Sequence, residues 1–337
     1  MQTLNNPRPP ERGPAATPGA SGDNRPLREV FGEALTLLGR ANPRVLVLDA
    51  DLSEATKSVV FKKEFPDRFF NIGIAEANLV CIAAGLSTTG YIPFACTFAF
   101  LLSLRAADQI RSQVCYPEMN VKLVGTNGGL SGFGDGATHQ CTKDLAIMRA
   151  MPNMTVVVPS DAITVTKAIF AAAEHVGPLF LRIPRVPGMV VHDPQVEFRL
   201  GKGYKLRAGS DLTIIANGMM VSRALAAAAS LAAQGIAAEV LEIHTLKPFD
   251  EALVIESASK TGAVVTVEEH SRYGGLFSAV SETLSMNHPV PIEYVAIEDR
   301  FGESGVYEEI LQRCGLTAEK VVEKAQRALQ RKKGQRS

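Results

Sequence analysis

Short, continuous apolar runs alternate with longer segments of helical period along most of this chain. Runs rich in β-branched and aromatic residues at 44–50 (RVLVLDA), 69–73, 92–98 (IPFACTF), 121–127 (VKLVGTN), 155–160 and 179–184 predict strands. Between them, 75–89, 103–115 and 161–175 predict helices, the last opened by Asp161 as N-cap. Strands that are apolar at every position are buried on both faces, which predicts a parallel sheet covered by helices. The rhythm breaks at 184–195 (PRVPGMVVHDPQ), where Pro and Gly punctuate the chain. It then resumes, with strands at 211–218, 237–243, 263–269 and 291–297 and helices near 221–233, 250–260 and 275–285. The expected fold class is therefore α/β, with two doubly wound domains at 26–190 and 204–330 and a linker over 191–203.

Length and charge narrow the function classes. The 337 residues suffice for two cores. Lys+Arg and Asp+Glu both number 35, so there is no general pull toward nucleic acid or an acidic membrane surface. No apolar run is long enough to span a bilayer. Residues 1–25, rich in Pro, Gly, Asn and Ala, lack the apolar core of a secretory signal and read as a disordered lead-in. The basic tail at 328–337 reads as a solvated helix end. Five cysteines, an odd number without a CxxC pair, favour reduced thiols in a cytoplasmic protein over disulfides or zinc.

Candidate chemistry gathers where an open α/β sheet binds ligands, beyond the carboxyl ends of its strands. The run 71-NIGIAEANLV-80 places a lone carboxylate, Glu76, in an apolar segment at a helix start. By itself that residue could simply complement the helix dipole. The stretch 125-GTNGGLSGFGDGATHQ-140 is a long glycine-rich loop carrying Asn127, Asp135, His139 and Gln140. Glycines let such a loop turn tightly and approach a ligand closely, and loops this long in compact domains are usually functional. His139 by itself could be a capping or core histidine. There is no P-loop, no GxGxxG and no GxSxG, and the six histidines show no metal spacing, so no metal ligands are assigned.

Taken together, 49-DADLS-53, 71-NIGIAEANLVCIAAGLSTTG-90, 97-TFAFLLSLRAADQIR-111, 134-GDGATHQCTKDLAIMRAMPNMTVVVPSDA-162, 181-LRIPR-185 and 261-TGAVVTVEEHSRYGGLFSAVSETL-284 resemble the carboxyl-terminal half of transketolases. Deoxyxylulose-phosphate synthases and the β subunits of 2-oxo acid dehydrogenases share this half; the Asp-Gln-Ile-Arg and Thr-His-Gln segments favour transketolase. The resemblance implies a thiamine-diphosphate pyrimidine-binding domain followed by a transketolase carboxyl-terminal domain. It also implies a partner: an N-terminal subunit that carries the diphosphate site and its Mg²⁺ or Ca²⁺, in an α2β2 heterotetramer acting on sugars or sugar phosphates. Gly134-Asp135-Gly136 looks like the opening of the metal motif of such enzymes, but the window where its Asn belongs, Asp161 to Thr166, has none. We read it as a decoy.

The resemblance also implies roles. Glu76 matches the glutamate that donates a proton to the cofactor's aminopyrimidine; His139 matches a histidine near the donor's reacting oxygen. Phe98 and Leu101 fall in the pyrimidine pocket. Asp51 matches a cofactor contact across the subunit interface, although a structural Asp at a strand end is an equal reading. Asp135 matches a residue that reads an acceptor hydroxyl, and Arg28 and Arg185 match a clamp on the substrate's terminal phosphate. Asn127 stands where many transketolases have a phosphate-binding histidine, and Ala55 where they have a serine. Leu101 and Ala107 stand at often aromatic positions, and Lys143 at a frequently acidic one. His270 is the one carboxyl-terminal residue singled out. The expected activity is transfer of a two-carbon ketol unit from a ketose to an aldose. A 2-oxo acid dehydrogenase β subunit and a non-catalytic paralogue are the alternatives.

Overall fold

The structure is a computed structural model that describes residues 25–334. The lead-in read over 1–25 therefore lies, apart from Arg25, outside the described residues, as do the last three residues of the tail.

The apolar runs become the strands of two sheets. The first sheet holds β1 (Val45–Asp49), β2 (Phe69–Asn71), β3 (Ile92–Phe98), β4 (Lys122–Thr126), β5 (Thr155–Val157) and β6 (Leu179–Ile183). These six strands pair in parallel wherever they meet. The second sheet holds β7 (Tyr204–Arg207), β8 (Leu212–Ala216), β9 (Ala238–Glu242), β11 (Val264–Ser271) and β12 (Ile292–Ile297). Helices flank both, as strands buried on both faces require.

The sheets are not purely parallel as expected; each has one antiparallel edge strand. β7 pairs antiparallel with β9 at the edge of the second sheet. β10 (Thr245–Lys247) leaves the second half of the chain and pairs antiparallel with β5, at the edge of the first sheet. Both are short, and β7 is half exposed, so neither carries a continuous apolar run. Their pairing is decided by tertiary contact, which periodicity does not report. A helix at Leu27–Ala41, also unpredicted, packs on the helix Ala162–Glu174. That second helix opens with a full capping box, Asp161 accepting from the Thr164 N–H at 2.8 Å.

The two halves share a core. One apolar cluster runs from Leu79, Leu123 and Phe180 of the first sheet's layers to Ile243, Leu246 and Leu276 of the second half. The helix expected at 103–115 forms instead as two wide-turn stretches, Leu101–Arg105 and Ile110–Cys115, around a single turn at Ala107–Gln109. Wide turns of this kind recur at functional sites. The five cysteines form no disulfide. Among the described residues no helix is long and apolar enough to cross a membrane.

Candidate active site

The strand order of the first sheet is β10-β5-β6-β4-β3-β1-β2. From β1 the chain first adds β2 on one side, then returns to add β3 on the other. The loops after β1 and β3 therefore part, and a crevice opens at this switch point. It is a pocket of about 260 Å³, lined by Ala50 to Leu52 after β1, Phe98 at the end of β3, Phe100 and Leu101 beyond it, and Ile74, Glu76, Arg105, Thr138 and His139. Five expected site residues, Asp51, Glu76, Phe98, Leu101 and His139, meet here.

Glu76 is the first residue of the helix Glu76–Ser87. Gly73, with φ +80°, makes the turn that points this helix start at the crevice. The side chain is 4% exposed, and its Oε1 has no hydrogen-bond partner. Oε2 lies 3.5 Å from Nη1 of Arg105, whose own side chain is 59% exposed. An ion pair that open to water contributes at most about 1 kcal/mol. A buried carboxylate oxygen left unpaired costs about 1–3 kcal/mol. Stability alone therefore does not account for this residue; a group that fills the pocket and pairs with Oε1 does.

The rest of the pocket combines apolar walls with polar side chains. Phe98 and Leu101 are buried and supply apolar walls. The His139 ring meets Phe100 and Phe98 edge-on, at centroid distances of 5.3 and 6.1 Å, and its Nδ1 lies 3.0 Å from Thr138 Oγ1. Asp51 adopts a left-handed backbone, φ +63°, and is tied to Asn71 twice: its N–H donates to Oδ1 and its own Oδ1 accepts from Nδ2. Below it Asp49, fully buried, accepts from the Leu52 N–H and from the Thr56 and Ser58 hydroxyls. Burial raises the Asp49 pKa despite these bonds. It holds the loop after β1 from inside.

Arg28, Asp135 and Arg185 form a second group. Arg185 pairs with Asp135 at 2.8 Å. Arg28 donates to the Ala55 carbonyl at 3.2 Å, while its Nε is buried without a partner. Burial and the neighbouring Arg185 charge lower the Arg28 pKa. Glu29 and Asp135 are the carboxylates that face this pair of guanidiniums, and Arg28 keeps an unspent donor. Asn127 is apart from the pocket: it is 1% exposed, has φ +56°, and both amide atoms lack partners. His270 is fully buried, accepting from the Ala146 N–H at 3.4 Å, and does not reach the pocket.

Sequence reading missed Arg105, Phe100 and Thr138 among the pocket's walls. Phe100 had a signal, since it stands two residues beyond Phe98 at a strand end. Arg105 had none, because the wide turn that brings it to Glu76 is not a periodic feature. Among the described residues no group of three or more His, Cys, Asp or Glu side chains is placed to hold a metal ion. An unpaired buried carboxylate oxygen, two apolar walls and room for a ring fit the aminopyrimidine end of thiamine diphosphate.

Residues 24–187 match the pyrimidine-binding domain of transketolase, and residues 201–321 the transketolase C-terminal domain. The chain is 43% identical over 306 residues to a 6-deoxy-6-sulfo-D-fructose transketolase subunit of Clostridium sp., covering 91% of this chain and 95% of that one. It is 44% identical over 307 residues to a putative transketolase C-terminal section of Methanocaldococcus jannaschii, covering 90% and 96%. A solved split-gene transketolase, described as an inactive beta4 tetramer, superposes with a TM-score of 0.86 at 50% identity, covering 91% of this chain and 99% of that one. The transketolase of Campylobacter jejuni shares the fold at 24% identity and a TM-score of 0.76, this chain spanning 47% of it. The chain belongs to the transketolase family and corresponds to its carboxyl-terminal section, the part that split members carry as a separate subunit.

Proposed function

We propose that this chain works with a separate N-terminal subunit, in an α2β2 heterotetramer of the cytoplasm, to transfer a two-carbon ketol unit from a ketose to an aldose. The observation that carries the reading is the unpaired, buried Oε1 of Glu76 at the mouth of an open pocket. When bound, thiamine diphosphate supplies the nucleophilic carbon for this reaction. Glu76 holds and returns a proton at Oε1, facing the pyrimidine ring. Phe98 and Leu101 would supply apolar walls for that ring and keep water out, with Asp51 at the rim. Thr138 engages Nδ1 of His139, which leaves Nε2 to stabilise charge on the donor's oxygen. Mg²⁺ or Ca²⁺ and the diphosphate belong, in this reading, to the partner.

Arg28 and Arg185 bind an anionic end group of the sugar, with Asp135 reading an acceptor hydroxyl and Asn127 shaping the loop behind it. A phosphorylated or a sulfonated sugar satisfies that chemistry, and a relative's name includes a sulfonated one. Hydrogen bonds to charged groups contribute about 1.5–3 kcal/mol. Arg28→Ala or Arg185→Ala is thus expected to raise KM for an anionic sugar about 10- to 100-fold at little change in kcat. Steady-state assays on matched charged and uncharged sugars check this, and equal losses for both would remove the clamp from the reading.

The direct test is calorimetric titration of thiamine diphosphate with Mg²⁺ into this chain alone and into its complex with a candidate N-terminal subunit. The expected result is tight binding only in the complex. Tight metal-dependent binding to this chain alone would overturn the shared site. A complex that forms but binds nothing would overturn the catalytic reading.

A further inference from the structure

The mechanism leaves the second domain without a task, yet its side chains and backbone reach the glycine-rich loop at three places. At the near end of the loop, Glu269, the last acidic residue of β11 and buried, accepts from the Leu130 N–H through Oε1 at 2.6 Å. Its Oε2 accepts from the Tyr307 hydroxyl at 2.7 Å, so the carboxylate bridges the two domains. At the middle, the Gly305 N–H donates to the Phe133 carbonyl at 3.1 Å, and the Phe133 ring lies 6.1 Å from that of Tyr307. At the far end, Nε2 of Gln140, the residue after His139, donates to the Glu303 carbonyl at 2.9 Å.

The fit is close as well as polar. A Cβ on Gly302 would overlap Oε1 of Gln140, and one on Gly136 would overlap the Ser304 hydroxyl. The second sheet's own ligand position is used up in the same contact. Its switch point, beyond β8 and β11, is filled by Arg182 of the first domain, whose Nη2 donates to the Cys141 and Glu269 carbonyls at 3.0 Å. The cavity left there is about 10 Å³, room for about one water.

We infer that the second domain, through Glu269, Tyr307 and the segment 302–305, is the positioning element for the loop that carries Asp135 and His139. A loop with this many glycines has a large conformational entropy to lose. Catalytic groups must nonetheless be held to within a fraction of an ångström. Three anchors from a packed domain supply that order. The inference rests on the ketol-transfer reading only for what the loop binds, not for how it is held.

The test compares Gly302→Ala, Gln140→Met and Tyr307→Phe with the parent chain. Gly302→Ala displaces chiefly the end of the Gln140 side chain and presses on Leu130, whereas Tyr307→Phe removes only one oxygen and is the variant expected to keep the fold. Hydrogen–deuterium exchange on the intact chain is expected to be about tenfold faster over 129–141 and unchanged over 76–87. Unchanged exchange over 129–141 in all three would overturn the inference, whether or not the protein is a transferase. In the complex, with hydroxypyruvate as donor and a panel of plain, phosphorylated and sulfonated aldoses as acceptors, the acceptor KM is expected to rise severalfold in all three. Gly302→Ala and Gln140→Met combined should add little to either alone, because both break one contact. Additive losses, or an acceptor KM equal to the parent's, would overturn the positioning role. A parent complex that transfers nothing would sink the ketol-transfer reading, while the exchange result still decides how the loop is held.

Discussion

Glu76→Gln, folded and assembled with its partner, is expected to lower ketol transfer by about 10²–10⁴-fold, the range of a lost acid–base group. An amide in this place can donate the hydrogen bond but cannot take up and return the proton. The same change is not expected to lower the melting temperature. The carboxylate is buried, one oxygen is unpaired, and its one ion pair, to Arg105, is largely in water. The change gives up less than about 1 kcal/mol of surface ion pairing. Activity lost with stability kept or raised is the signature of a group retained for chemistry. A melting temperature several degrees lower, or activity within a few fold of the parent, would return Glu76 to a structural role.

His192→Ala is expected to cost about 3–5 kcal/mol of stability, the usual penalty for stranding buried charges. His192 lies in the segment between the domains. Its Nδ1 is 2.9 Å from Asp161, which caps a helix of the first domain, and its Nε2 is 2.8 Å from Glu242 at the end of β9. The first contact is a well-aligned hydrogen bond; the second lies off the bonding line and acts as a close charge pair. Both carboxyl groups are fully buried, so removing the ring leaves them facing each other without a cation. Burial opposes charge on the ring, but the two carboxylates outweigh it and carry the His192 pKa up to about 10. Burial would likewise raise Asp161, and the bond from His192 overturns this, bringing it to about 2. Glu242 moves the other way, raised by burial.

The signs give the pH window. A histidine raised from about 6.5 contributes stability that is whole below that value and is lost as pH climbs through about 10. Asp161, lowered from 3.8, contributes stability that is lost as pH falls toward about 2. The difference between parent and His192→Ala should thus be largest near pH 5–6 and shrink toward pH 10. Nearby His244, pushed down to about 3 by burial and by the His192 charge, stays neutral over this range, stacked on Phe198. Adding Glu242→Gln to His192→Ala should restore part of the loss. Urea unfolding at pH 6 and pH 10 measures all of this; a His192→Ala effect under about 1 kcal/mol, or one independent of pH, would show that the ring is only packing.

The amino-acid sequence by itself determined the strands built around a run of apolar residues, because burial on both faces restricts composition over most of their length. β1, β3, β4, β6, β8 and β11 were legible for that reason, with ends off by a residue or two. So was the candidate site's outline. A lone carboxylate after Gly73 in an apolar run and a loop dense in glycine are local anomalies, and local anomalies survive in a one-dimensional reading. What pairs at long range did not. β10 changes sheets, β7 is a half-exposed edge, and Arg105 reaches Glu76 through a wide turn with no period to betray it. Gln140 finds its carbonyl 163 residues away, and Glu269 reaches Leu130 across 139. Such contacts depend on which surfaces the packed cores bring together, and the tertiary structure alone decided them.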